Sequence, residues 1–121
     1  MKIKRIDEQF SICKVKDYSL VDLNHEFTFV SKTDEENSLV CPTKYVPLNV
    51  LEVVHGWRAF RIEGILDFSL IGILAKISTI LANHQIGIFA ISTFNTDYIF
   101  VKEESFEKAI EYLKKEGYTI L

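Results

Sequence analysis

The chain has 121 residues, 48% of them hydrophobic and 26% charged, as in an ordinary globular protein of one domain or of two very small ones. A formal net charge of −3 gives no support for binding nucleic acid or an anionic membrane surface. No apolar run reaches the roughly 18 residues that span a bilayer, and the basic start, Met1-Lys-Ile-Lys-Arg-Ile-Asp7, lacks the apolar core of a signal peptide. The expected address is therefore cytoplasmic.

The first strand is expected over Gln9–Lys16, with imperfect alternation: Phe10 and Ile12 share a parity with Lys14 and Lys16, Cys13 and Val15 take the other. Asp17–Asp22 is too short for a helix. Glu26–Lys32 alternates well, Thr33–Asn37 is a turn by composition, and Ser38–Cys41 closes a hairpin. Pro42 and Pro47 punctuate the next segment, and Asn49–Gly56 reads as the connection between two halves.

The second half is patterned more strongly. Trp57–Gly64 reads as a strand and Leu70 to about His84 as a helix with an apolar stripe of Leu70, Leu74, Ile77 and Leu81, widened by Ile73 and Ile80. Asp67 and Ser69 are of the type that caps a helix start. Gly72, read as one turn inside the helix, suggests a close backbone approach. Gly87–Thr93 and Asp97–Lys102 are strands joined through Phe94-Asn95-Thr96. By alternation Phe89, Phe94, Tyr98 and Phe100 read as mostly core.

The last helix places Phe106, Ala109, Ile110 and Leu113 on one face, with Glu103 and Glu104 at its positive end, Lys114 and Lys115 at its negative end, and Gly117 at C′. Tyr118–Leu121 supplies a short final strand. The order βαββαβ implies an α+β, ferredoxin-like antiparallel sheet with two helices on one face.

No catalytic pattern emerges. His25, His55 and His84 are not at metal-ligand spacing, and no nucleophile elbow, phosphate loop or dinucleotide fingerprint is present. Cys13 and Cys41 are too far apart in sequence for a metal or redox motif. Nothing in the sequence orients Cys41 towards His55, and Cys41 reads as a buried, inert thiol. The chain is expected to be no enzyme and to need no metal or cofactor.

Several strings resemble a known family: Trp57-Arg, Glu63-Gly-Ile-Leu-Asp-Phe-Ser-Leu-Ile-Gly-Ile-Leu-Ala75, Ile91-Ser-Thr-Phe-Asn-Thr-Asp-Tyr-Ile99 and Val101-Lys-Glu103. Through them residues 57–121 resemble an ACT domain, the small-molecule regulatory module of amino-acid metabolism. More narrowly, the chain resembles the small tandem-ACT proteins related to the aspartate kinase regulatory region and the cellular arginine sensors. Phe29–Cys41 resembles the degenerate first unit of such proteins, which makes residues 1–56 a degenerate N-terminal ACT-like unit and 57–121 the C-terminal ACT domain, two packed units in all. The chain departs from the pattern at Gly64-Ile65, where Gly-Pro is common, and in lacking a first helix in its first unit.

The resemblance implies a ligand site at an interface between ACT units, for a small molecule of the free amino-acid class. Carried over by position, the strand–helix loop supplies Asp67, Phe68, Ser69, Leu70, Ile71, Gly72 and Ile73, whose backbone amides meet a ligand carboxylate. The hairpin supplies Thr93, Phe94, Asn95 and Asp97. Asp97 is suited to a ligand ammonium or guanidinium, and Phe94 to covering an aliphatic or cationic side chain. Each has a plainer reading: Asp67 and Ser69 as caps, Gly72 as a packing residue, Asp97 as a turn residue. The implied partners are the ligand and a second copy or a partner protein. The alternative is a dimerisation module with no ligand at all.

Overall fold

The structure, a computed structural model, describes residues 1–63 and 71–121. Its elements are β1 (Lys2–Val15), β2 (Phe29–Lys32), β3 (Asn37–Pro42), β4 (Val50–Ile62), α1 (Ile73–Asn83), β5 (Ile88–Ser92), β6 (Asp97–Lys102), α2 (Glu103–Lys115) and β7 (Thr119–Ile120), with a 3-10 turn at Thr43–Tyr45. No described helix is long and apolar enough to cross a membrane.

The chain divides into two compact units, Glu8–Trp57 and a second made of Met1–Asp7 with Arg58–Leu121. The later cut lies one residue beyond the expected boundary at 56/57. The first seven residues, however, belong with the C-terminal unit. Both cuts fall inside long strands, β1 and β4, so the expected connection over Asn49–Gly56 is instead mostly strand. Val50, Val53 and Val54 are β-branched and suit a pleated surface, while Gly56 accepts a φ of +87° within that strand.

In the C-terminal unit the strand order is β7-β1-β4-β6-β5. The pairing of β7 with β1 is parallel (Lys2 opposite Thr119, Ile3 opposite Ile120), which corrects the expectation of a purely antiparallel sheet. Backbone bonds from Thr119 N to Met1 O (3.0 Å), Leu121 N to Ile3 O (2.7 Å) and Glu63 N to Lys2 O (2.9 Å) fasten the first residues there. The core joins Ile3, Phe60, Ile62, Ile99 and Val101 of the strands to Ile77 and Leu81 of α1 and Phe106, Ala109, Ile110 and Leu113 of α2. The apolar face expected for α2 is thus the buried one. In α1, Leu74, Ile73 and Ile80 pack partly buried against the same core.

Both helices end in a Schellman motif. After α2, Tyr118 N bonds Leu113 O and Gly117 N bonds Lys114 O, both at 3.1 Å, with Gly117 at φ +97°. After α1, Ile86 N bonds Leu81 O and Gln85 N bonds Ala82 O, both at 2.9 Å, and the left-handed residue is Gln85, at φ +60°.

In the N-terminal unit the order is β2-β3-β1-β4. The β1–β3 register sets Ser11 opposite Cys41 and Cys13 opposite Leu39. Cys13, Val15, Leu39 and Cys41 form its core, with Tyr18, Val21, Val46, Val50 and Val53 packed against them.

Candidate functional site

The β5–β6 hairpin is locked by its own side chains. Thr93 N and Thr93 Oγ1 both donate to Thr96 O, at 2.8 and 3.0 Å. Ser92 Oγ donates to Asp97 Oδ1 across the strand ends at 2.5 Å, where the two residues face one another in register. Thr96, only 7% exposed, turns its hydroxyl away from the hairpin and donates to Ile62 O at 2.7 Å. That bond ties the hairpin to the end of β4, from which the strand–helix connection departs. The sequence reading passed over Thr96; its recurrence three residues after Thr93 is the signal that pointed to it.

Phe94 sits at the hairpin tip and is 83% exposed, which corrects its reading as a core aromatic. Phe100 is fully buried, and Phe89, opposite it in register, stacks on it with ring centroids 4.5 Å apart. Beside them Arg61 reaches Tyr98 Oη through Nη1 and Glu63 through Nε, each at 3.1 Å.

Of the seven expected loop residues, Asp67, Phe68, Ser69 and Leu70 lie outside the described residues. Ile71 is 95% exposed. Gly72 is the N-cap of α1, in the left-handed conformation at φ +79°, and as a glycine it supplies no capping side chain. Its expected place one turn inside the helix, with a close backbone neighbour, is therefore corrected. A Cβ added there would meet nothing within 4 Å, and the reason for glycine is its backbone conformation.

Ile71, Gly72 and Ile73 border a cavity of about 300 Å³, whose other described lining residues are Met1, Lys76, Glu116, Gly117 and Tyr118. Thr93, Phe94, Asn95 and Asp97 are not among them. The described members of the expected set thus fall in two places of the C-terminal unit, the hairpin and the cavity beside the start of α1.

Two polar clusters lie in the N-terminal unit. Buried Ser11 places Oγ 2.6 Å from His55 Nδ1 and 2.8 Å from Thr43 Oγ1. With no exposed surface, the Ser11 hydroxyl links strands and is not presented to a substrate. The thiols of Cys13 and Cys41, distant in sequence, are in hydrogen-bonding contact, and this contact together with burial pushes the Cys41 thiol far up from its usual range. Among the described residues no group of three or more His, Cys, Asp or Glu is placed to hold a metal ion.

A small α+β unit with two helices against a curled sheet, and a cavity where one helix begins, is an ACT-like fold. The sequence profile of the ACT domain family matches residues 52–115, more than half of the chain, and the protein belongs to that family. ACT domains are small-ligand regulatory modules. The chain is similar to protein Atu0741 of Agobacterium tumefaciens, at 29% identity and a TM-score of 0.87 over 99% of this chain and 91% of the other. It resembles in fold the aspartokinase α and β subunits, at 16% identity and a TM-score of 0.66 over 95% of this chain and 96% of theirs. It also resembles the aspartate kinase of Clostridium acetobutylicum, an allosteric enzyme, at 16% identity and a TM-score of 0.64; 93% of this chain then spans 32% of the kinase chain. No curated protein matched the sequence.

Proposed function

We propose that this ACT-domain protein is a regulatory module that binds a free amino acid and performs no catalysis itself. Ligand binding biases the geometry of a unit-to-unit or dimer interface, a population shift set by differential affinity. The observation that carries the proposal is the family match over residues 52–115. The fold likeness to aspartokinases, enzymes of amino-acid metabolism, favours an amino acid over other small ligands. In this reading the loop through Ile73 and the hairpin residues Thr93, Phe94, Asn95 and Asp97 contribute to the site, and the N-terminal unit is a degenerate second ACT-like unit.

The experiment is a thermal-unfolding screen against the twenty amino acids at millimolar concentration, run beside a sizing column. A ligand at about 100 times its dissociation constant stabilises the native state by roughly 2.7 kcal/mol, a midpoint rise of several degrees. A rise with one amino acid supports the module; no rise with any of them rejects amino-acid sensing. The second reading, a dimerisation module without ligand, is favoured by the exposure of Ile71 and Phe94. It predicts a stable dimer whose midpoint no amino acid moves.

A further inference from the structure

We infer that Cys13 and Cys41 form a reversible intramolecular disulfide when the protein meets hydrogen peroxide, which makes the N-terminal unit an oxidation-sensitive switch. Their distance in sequence hides the pair, and the pairing of β1 with β3 brings it together.

Both cysteines lie in the Glu8–Trp57 unit. Cys41 is in register with Ser11, and Cys13 with Leu39. Residues two apart on a strand share a face, so the cysteines take diagonal positions on one face of adjacent antiparallel strands. Their thiols are in hydrogen-bonding contact. Both are free thiols, and among the described residues no group of three or more His, Cys, Asp or Glu is placed to claim them for a metal ion.

Burial decides which oxidation product forms. Cys13 is 3% and Cys41 2% exposed, in a core they share with Val15 and Leu39. A second protein or a bulky thiol cannot reach either sulfur in the native fold, whereas a molecule as small as hydrogen peroxide enters through minor local openings. Once one sulfur is oxidised, the other is the nucleophile beside it. The bond to Cys41 also lowers the pKa of Cys13 against the effect of burial, while the Cys41 thiol is pushed far up. Cys13 therefore ionises first, and the thiolate is the attacking form.

The Cys13 thiolate attacks one peroxide oxygen. The S–O bond forms, the O–O bond breaks, and the departing hydroxide takes the proton that Cys13 gave up, leaving as water. Cys13 is then a sulfenic acid. The Cys41 sulfur attacks the Cys13 sulfur; the S–S bond forms, the S–O bond breaks, and hydroxide leaves with the Cys41 proton as a second water. The two sulfurs together lose two electrons, and the peroxide gains them.

Diagonal partners on an antiparallel pair stand farther apart than directly opposed residues, near the limit that a disulfide spans. The new bond therefore draws β1 and β3 together at this point, and a strained disulfide is easily reduced again. Ser11, in register with Cys41, carries the bonds to Thr43 Oγ1 and His55 Nδ1, so the shift reaches that cluster as well.

The test treats the full-length protein with hydrogen peroxide at a dose that oxidises both thiols of the urea-denatured chain. The sample is then quenched with catalase, denatured, alkylated and weighed by mass spectrometry. The expected product is a monomer lighter by two hydrogens, with neither thiol alkylated, a linked Cys13–Cys41 peptide after digestion, and both thiols recovered with dithiothreitol. Cys41→Ala should stop at a sulfenic acid on Cys13, trapped by dimedone, and Cys13→Ala should leave Cys41 free to be alkylated. The urea midpoints of oxidised and reduced wild type should differ, and dithiothreitol should abolish the difference. Two alkylated thiols in wild type after this dose, or disulfides only between chains, overturn the intramolecular bond. A dimedone adduct on Cys41 in place of Cys13 overturns the order of attack, and equal midpoints for the two forms overturn the switch.

Discussion

Ser92 and Asp97 join the ends of β5 and β6 by a side-chain bond of 2.5 Å, and Lys32 and Asn37 join β2 and β3 in the same register at 2.9 Å. The two hairpins share more than this pair. Thr33 N bonds Glu36 O at 3.0 Å as Thr93 N bonds Thr96 O at 2.8 Å. Asn37 Nδ2 reaches Lys16 O, just past β1, as Thr96 reaches Ile62 O at the end of β4.

Removing the Ser92–Asp97 bond should loosen the hairpin without unfolding the unit. Ser92→Ala and Asp97→Ala are each expected to cost about 1 kcal/mol or less in denaturant unfolding, because the pair is exposed. A double-mutant cycle should give a coupling of about 0.5 kcal/mol or more. Additivity would mean the pair does not hold the hairpin.

Thr96→Val keeps the shape of a buried residue and removes its hydroxyl. The carbonyl of Ile62 then loses its 2.7 Å partner, at an expected cost of about 1–3 kcal/mol. Thr96→Ser should retain most of that stability. The urea midpoints of the two variants give the comparison.

The ends of α1 respond in opposite directions to glycine. Gln85 sits at φ +60° in the C′ position, so Gln85→Gly should stabilise the protein by up to about 1 kcal/mol. Gly72→Ala places a side chain at φ +79° with open space around it, and should destabilise by about 1 kcal/mol through backbone strain alone. Thermal midpoints measured without ligand read both effects.

Burial, with a smaller contribution from Glu116, raises the pKa of Tyr118 above its usual value near 10. The folded state then holds the phenolic proton more tightly than the unfolded state. Its contribution is fully present below about pH 10 and is lost as pH rises through the folded pKa. Unfolding free energy should therefore fall above pH 10 in wild type, and fall less steeply in Tyr118→Phe.

Cys13 and Cys41 are both buried free thiols, and the Cys41 thiol is pushed up by its bond to Cys13 and by burial. A thiol reagent at pH 8 should label both slowly in the native protein and rapidly in denaturant. Fast native labelling of either thiol would contradict the packing of β1 on β3.

Much of the C-terminal unit was legible from local pattern. Asp97–Lys102 is a strand with the expected bounds, and α2 carries its acidic first turn, basic last turn and buried Phe106–Leu113 face as read. Phe94 was misjudged because alternation continues through a hairpin tip only in the letters; the chain there turns out of the sheet. Gly72 was misjudged because an apolar stripe does not mark where a helix begins.

By itself the sequence determined the family, through the strings it shares with ACT domains, and it determined the order of elements in the second half and the buried face of α2, because periodicity and helix capping act over a few neighbouring residues. Only the tertiary structure decided that Met1–Asp7 joins the C-terminal unit beside β7, that Cys13 meets Cys41 and Ser11 meets His55, and that Lys76 and Glu116 border one cavity. Each of these depends on strand register or helix placement between residues far apart in the chain, where the choice of partner is made by total burial and backbone hydrogen bonding and leaves no local signature.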